Sequence, residues 1–404
     1  MHTIRIGLAV CALVAAGVAV APASHAQDEP LPGYGPTSIA VPAGWARGAP
    51  PPRLVRAPAP AAQGVQGAPV QFVPTTRRAP RRGYDITSGP WRPRGPVEVR
   101  DEWILAQPRM TLPAVSPDAP RHGSWTVGFH IDRGNDFGWS QSGRAEFPTD
   151  RRFIVDGEHQ STEVRVRYGL LPRLSLGLRV PVYWRGGGFM DDIIDWYHDL
   201  FEGTLKDNDR PSFDNDQYRV HGRTPGGDPL SWDDKRGTAL GNIDLEAYWH
   251  IKKACCRSDW RVAWILRAAL PTGGDPYDSG FDLGTQFVVA KQLGRRFDFY
   301  AGLGATWYSD DTLDGIEYEP FRGHGFAALE WHATSCWSFI LETNAASRMV
   351  TNLADYPAES WYINLSTRFD LSRTFELYAG FTENIIDQQG TVDFGVFGGF
   401  TLKL

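Results

Sequence analysis

The sequence predicts an all-β protein, a closed antiparallel transmembrane β-barrel of about 12 strands with a short helix in a long outer loop. Three observations carry that expectation. From about Ser124 onward, segments alternate apolar and polar residues with a period of two. The connections between these segments are alternately short and long. The sequence closes on its most apolar strand, TVDFGVFGGFTLKL.

Composition points the same way. The 404 residues hold 15 Trp, 14 Tyr and 21 Phe against 4 Met, with 43 Gly, a balance that favours strands and turns over helices. Mean hydropathy is negative and no long apolar run follows the first thirty residues, which excludes a helical membrane protein. A formal charge of −6 is small for this length and gives no reason to expect nucleic acid as a partner.

Residues 1–26 read as a signal peptide: Arg5, an apolar stretch from Ile6 to Val20, then Ser24-His25-Ala26 as a small-x-small cleavage site. Cys11 lies inside the apolar stretch behind Val10 and does not read as a lipid-attachment site. Cys255, Cys256 and Cys336 remain after cleavage, an odd number without zinc spacing. The vicinal pair Cys255 and Cys256 could oxidise with each other or serve as small turn residues.

Residues 27–96 are rich in Pro, Gly, Ala and Arg, lack lysine and show almost no apolar periodicity, so a disordered periplasmic arm is expected. Its pairs Arg77-Arg78 and Arg81-Arg82 could touch an anionic surface or polymer, although a solvated spacer is the plainer reading. Residues 97–123, with EVRDEWILAQPRMTLPAVSPD, look more ordered and are expected to pack against or into the strands that begin at Ser124, as a plug would.

Residues 124–404 supply the strands. Trp125, Val127, Phe129 and Ile131 share one face, as do Leu174, Leu176, Leu178, Val180 and Val182. The rule repeats from Ile243 to Ile251, Trp260 to Leu270, Phe297 to Trp307, Trp361 to Phe369 and Phe375 to Phe381. Short links such as LLPR, LGRR and LSR alternate with long ones such as PTGGDPYDSG and SDDTLDGIEYEP. Short turns on one side and long loops on the other are the outer-membrane barrel pattern, the short side being periplasmic. An even strand number brings the last strand to the first, which satisfies every backbone group in lipid. Fourteen strands is the alternative, if 150–170 splits or DNDQYRVHG spans.

If the apolar rows face lipid, the alternate residues line the lumen: Glu163, Arg165, Arg167, Arg179, Asp244, Glu246, Lys252, Arg261, Arg267, Asp282, Asp298, Glu330, Glu342, Arg368, Glu376, Asp393 and Lys403. Signs change from strand to strand, so neighbouring strands can pair charges across the wall. Such a lumen is either a water-filled conduit or closed by paired charges. The conduit is favoured, because twelve strands enclose more space than wall side chains fill. Trp139, Tyr183, Trp184, Trp307 and Trp361 are expected near outer strand ends, and Tyr168, Trp249, Trp260, Trp331 and Trp337 near inner ends, as lipid-facing belts with a few members turned inward.

GGGFMDDIIDWYHDLFEG breaks the alternation. Met190, Ile193, Ile194, Tyr197, Leu200 and Phe201, led by Phe189, fall at helical spacing with aspartates between them, which makes a lid candidate or a surface helix. KDNDRPSFDNDQ does not match a calcium loop, and the histidines show no ligand spacing, so no metal or other cofactor is expected. His122 and Ser124 lie at the wrong end for outer-leaflet lipid chemistry, and no enzyme is expected.

GNIDLEAYWHIKK, LRAALPTGGDPYDSG and the closing strand resemble outer-membrane barrels of the type found beside aromatic-degradation operons. The block from DGE through RYGLLPRLSLGLRVPVYWRGGGFMDDIIDWYHDLFEG is closer to an uncharacterised family of Gram-negative outer-membrane proteins, a domain of unknown function. The resemblance covers about 97–404. The terminal Leu404 departs from it, since assembly signals usually end in Phe or Trp. The expected role is a passive conduit for small polar or aromatic solutes; the alternative is a structural or assembly protein with a plugged lumen and a periplasmic tether. A monomer in the outer membrane is expected, with the arm and C-terminus periplasmic. Its expected partners are membrane lipid, lipopolysaccharide and the assembly machinery, with the cell wall or a periplasmic protein reached through the arm.

Overall fold

The ladder of backbone hydrogen bonds closes on itself. The computed structural model describes residues 92–404 apart from 102, 119, 140–152, 193–216, 253–259, 355, 358 and 385–389. Within them the strands are β1 (Trp125–Trp139), β2 (Phe153–Leu171), β3 (Leu174–Gly186), β4 (Arg219–Arg223), β5 (Pro229–Ser231), β6 (Gly237–Leu240), β7 (Ile243–Lys252) and β8 (Trp260–Leu270). They continue as β9 (Asp282–Leu293), β10 (Phe297–Tyr308), β11 (Thr312–Leu313), β12 (Ile316–Glu317), β13 (Phe321–His332), β14 (Trp337–Ser347), β15 (Glu359–Asp370), β16 (Phe375–Glu383) and β17 (Phe394–Lys403).

Twelve of these are long and form the wall, in the circular order β1, β2, β3, β7, β8, β9, β10, β13, β14, β15, β16, β17. Closure is made by β1 against β17, from Thr126 opposite Lys403 to Asn135 opposite Phe394. All the wall pairings are antiparallel. The fourteen-strand alternative does not hold: β4, which overlaps the end of DNDQYRVHG, is a five-residue strand on the extension of β2, not a crossing strand.

Alternation places the apolar rows outside. Leu303 is 73% exposed and Phe321 66%, and Leu178, Leu245, Trp264, Phe287 and Val396 are exposed beside them. An apolar outer face on a backbone ladder without an open edge is what a strand protein needs in hydrocarbon, so the barrel is transmembrane. Among the described residues, Tyr183 and Lys252 depart from the expected facing. Tyr183 is 1% exposed and packs inward on Tyr277 at 5.3 Å, because it alternates with the exposed Val182. Lys252 is exposed rather than enclosed, because a register shift between His250 and Lys252 breaks the alternation.

The lumen is filled. Residues 92–122 enter at the short-turn end, where Arg92 and Arg94 pair with Asp370 beside the β15–β16 turn and Arg94 Nη2 donates to Ser335 O at 2.7 Å. They climb to the long-loop end, turn over Trp103–Arg109 and descend, so that Gly123 N bonds Gly169 O at 2.8 Å near the β2–β3 turn. Packing is thus already in place at Arg92, the first described residue, five residues before the composition shift at 97. The two passes are tied together: Arg100 Nη2 donates to Arg109 O at 2.7 Å and Asp101 N to Thr111 Oγ1 at 3.3 Å. Gly95, at φ +82°, lies so close to Ser116 that an added Cβ would sit 2.6 Å from the serine Cβ.

Candidate functional site

The inner wall and the threaded segment form one continuous network. On the first pass, Arg94 N and Gly95 N donate to the Glu330 carboxylate at 3.0–3.2 Å, and Tyr300 donates to it at 2.8 Å. Pro96 O accepts from Arg368 Nη2 at 2.6 Å. Glu98 then pairs with Arg167 at 2.6 Å and Arg179 at 2.9 Å, and its carbonyl accepts from Arg165 at 2.8 Å. Arg100 reaches Asp244 at 3.4 Å and Asp101 reaches Arg322 at 2.8 Å. On the return, Met110 N donates to Asp282 at 2.9 Å, Gln286 Nε2 to Pro113 O at 3.0 Å, and Asp118 pairs with Arg261 at 2.6 Å.

Glu163, Arg179, Asp244, Glu246, Arg261, Arg267, Asp282, Asp298, Glu330, Glu342, Arg368 and Glu376 are buried inside the barrel, and Arg165 and Arg167 are half-buried there. Asp393 is half-buried just before β17, outside the strand, where its amide bonds Asn135 O at 3.0 Å. Neighbouring strands pair opposite charges: Arg179 with Glu163 and Glu246, Arg267 with Glu246, and Arg368 and Lys403 with Glu376, while Arg261 of β8 reaches past β9 to Asp298 of β10. Glu342 instead accepts from Asn344 and Asn364, each at 2.7 Å.

Apolar contacts divide along the height. Val97 and Val99 pack on Tyr378 and Phe397, and Ala114 and Val115 on Tyr248, Ile265, Val288 and Tyr300. The turn carries the largest cluster: Trp103, Ile104, Leu105 and Ala106 lie among Phe153, Val155, Tyr218, Trp232, Tyr318 and Tyr356. Wall glycines make room for the return pass. A Cβ on Gly284 would sit 2.7 Å from Met110 Sδ and 2.9 Å from Leu112 Cδ2, and one on Gly304 would sit 2.7 Å from Leu112 Cδ1. A void of about 10 Å³ between Arg100, Asp132, His159 and Phe397 has room for one water and falls far short of a solute path.

Several functional contacts were hidden from sequence reasoning. His130 and His159 join a chain in which Tyr378 OH lies 3.1 Å from His130 Nδ1, His130 Nε2 lies 3.2 Å from Asp132, and His159 Nδ1 lies 2.8 Å from Asp136. Asp136 also accepts from Ile104 N at 3.1 Å, which holds the turn of the segment. The two histidines are far apart in sequence, and only the β1–β2 register, with Gly134 opposite His159, brings them together. Asp298, Glu330 and His332 offer three atoms within 4.8 Å of one another, the geometry of a metal ligand set. Their groups are engaged by Arg261, Tyr300, Arg94 and Gly95, so the cluster works as a receptor for the entering segment.

Of the lid candidates, Phe189 is exposed with Arg133 over its ring at 4.4 Å, and Met190 is buried with its amide on Glu158. Ile193, Ile194, Tyr197, Leu200 and Phe201 lie outside the described residues, as do Cys255, Cys256 and all of the KDNDRPSFDNDQ stretch but its last residue, Gln217.

Residues 92–404 match a family described as protein of unknown function, DUF3187. No curated protein matches the sequence. Among solved structures, the chain is similar to the COG4313 outer membrane channel from Pseudomonas putida F1, at 12% identity, covering 72% of this chain and 100% of that one with a TM-score of 0.49. It is also similar to the P. putida toluene transporter TodX, at 8% identity, covering 70% of this chain and 89% of that one with a TM-score of 0.34.

Proposed function

We propose, for a chain that belongs to the DUF3187 family of proteins of unknown function, the role of an outer-membrane channel kept shut by its own lead-in segment, part of which must leave the lumen before a small solute passes. One observation carries this reading: the segment is held along both passes by charged and polar wall groups that water can replace. Buried ion pairs contribute little net stability compared with well-packed apolar residues, so a permanently filled barrel has no need of a charged inner wall. A lumen that is wetted for part of its working cycle does need one.

In this reading the long loops face outward and the short turns, the C-terminus and residues 27–91 face the periplasm. The protein is a monomer in lipid and lipopolysaccharide, delivered by the assembly machinery, and its role is passive rather than catalytic. The arm joins the segment at the latch around Arg92 and Arg94, so a cell-wall or periplasmic partner holding the arm would act on the segment directly. Solutes are small and polar or aromatic, in keeping with a charged wall and an aromatic outer chamber.

Planar-bilayer recording of the full chain beside a chain lacking residues 27–122 tests the reading. The full chain should stay closed apart from brief openings, and the shortened chain should conduct steadily. A second reading, a structural barrel, is favoured by the depth of the apolar cluster around Trp103. Silence from a correctly folded shortened chain would establish it and remove the channel.

A further inference from the structure

We propose that Arg185 is the recognition point for a small organic carboxylate with a flat apolar body, at a site that Gln107 of the threaded segment occupies while the barrel is shut. The proposal rests on the channel role above and names a solute class for it.

Arg185 stands near the upper end of β3 and is 1% exposed. Its guanidinium carbon lies over the Tyr277 ring at 4.5 Å and over the Trp232 ring at 5.5 Å. Among the described residues no carboxylate lies within ion-pair distance of it, whereas the other enclosed arginines Arg109, Arg179, Arg261, Arg267, Arg322 and Arg368 each have one. Its Nε donates to Gln107 Oε1 at 2.9 Å and the Tyr218 hydroxyl lies beside the guanidinium, while Nη1 and Nη2 find no partner in hydrogen-bond geometry among the described residues. Tyr218 adds no counter-charge. Burial pushes its hydroxyl pKa up against the opposing pull of Arg185, so it stays neutral at ordinary pH, and it donates to Lys235 O at 3.0 Å.

A cation removed from water without a counter-ion is costly, so a barrel that keeps one here keeps it for an anion. The two free amino groups of a guanidinium form a fork that matches the two oxygens of a carboxylate. Gln107 meets only part of that demand: its carbonyl is neutral and takes Nε, and its own Nε2 is left without a hydrogen bond. It behaves as an internal stand-in for the anion. Gln107 follows Trp103–Ala106, whose side chains fill the chamber lined by Tyr218, Trp232 and Tyr318. Withdrawal of the turn therefore exposes an aromatic chamber with one cation in its wall, which suits a flat apolar body carrying one carboxylate. A solute bound there excludes Gln107 and shifts the equilibrium toward the displaced segment.

Calorimetric titration of the full chain in detergent micelles with sodium benzoate, benzyl alcohol and benzamidinium chloride tests the site. Benzoate should bind saturably and at least about tenfold more tightly than either control. Arg185→Gln should weaken benzoate by about tenfold or more, Arg185→Lys should restore part of the loss, and Gln107→Ala should tighten it by removing the competitor. Benzoate binding no tighter than benzyl alcohol, or unaltered by Arg185→Gln in a folded barrel, would overturn the assignment. Should Arg185→Gln not fold, unchanged benzoate affinity in Gln107→Ala would overturn it equally. Benzoate binding together with a silent shortened chain would reject the channel and keep the site; steady conductance without benzoate selectivity would reject the site and keep the channel.

Discussion

The two ends of the threaded segment are held by different physics. At the short-turn end, Arg92 and Arg94 share Asp370, backbone amides cap Glu330, and Asp118 pairs with Arg261. At the long-loop end, Trp103, Ile104 and Leu105 are wholly buried among aromatic side chains. Ionic holds weaken with salt and exchange readily with water, while an apolar seal gives way only when its surface finds another cover. In the proposed channel the contrast makes the lower end a latch and the upper end a seal: a pull on the arm would open the first, and a solute with apolar surface would open the second.

Substitutions sharpen or break that contrast. The largest effect is expected from Trp103→Ala, which empties the seal and should cost about 3–5 kcal/mol of docking, read as a rise in the open fraction and in proteolysis within 92–122. An open fraction unchanged from wild type would mean that the upper cluster is no seal. Leu178→Arg, on the lipid face, should cost about 2–4 kcal/mol and lower the yield of folded barrel without favouring either end; a normal yield would contradict the assigned facing. Gly284→Val sets a side chain against Met110 and Leu112, with Thr306 Cγ2 at an ordinary 3.4 Å. It should loosen the return pass by about 1–3 kcal/mol while the barrel still migrates as folded on unheated gels. The smallest effect belongs to the partly exposed latch residue. Arg92→Ala should cost about 0.2–1 kcal/mol, with a difference from wild type that shrinks as salt rises; salt-independent opening would show that the latch is not ionic.

Much of the wall was legible in the sequence, because a lipid-facing strand must alternate and the alternation from Trp125 to Leu402 is nearly unbroken. The strand count came from the turns. Departures came where the period alone cannot speak: the register shift beside Lys252 is invisible in the pattern, and Tyr183 looks like a belt residue until the exposed Val182 fixes its facing. The charged inner positions could be read off the strands, but not the inward aromatics Tyr248, Tyr300, Phe326, Tyr378 and Phe397, since an apolar residue between apolar neighbours carries no sign of its side. The route of residues 92–122 was hidden for a related reason. Their partners lie on β2, β3, β7, β8, β9, β13 and β15, and only closure brings those strands around one segment. Arg185 carried no signal at all, because what distinguishes it is the carboxylate that every comparable arginine has and that it lacks among the described residues.

A channel closed by its own segment requires that opening and displacement of that segment be one event. In a chain whose native cysteines are serine, Ala106→Cys puts a single thiol at the turn, which is wholly buried in the closed barrel. Its modification by a membrane-impermeant maleimide can be monitored in bilayers whose conductance is recorded at the same time. Modification should be negligible while the channel is shut and should rise in proportion to the open fraction as voltage is applied. Conductance steps that leave the thiol unmodified, or rapid modification in a silent bilayer, would contradict this closure.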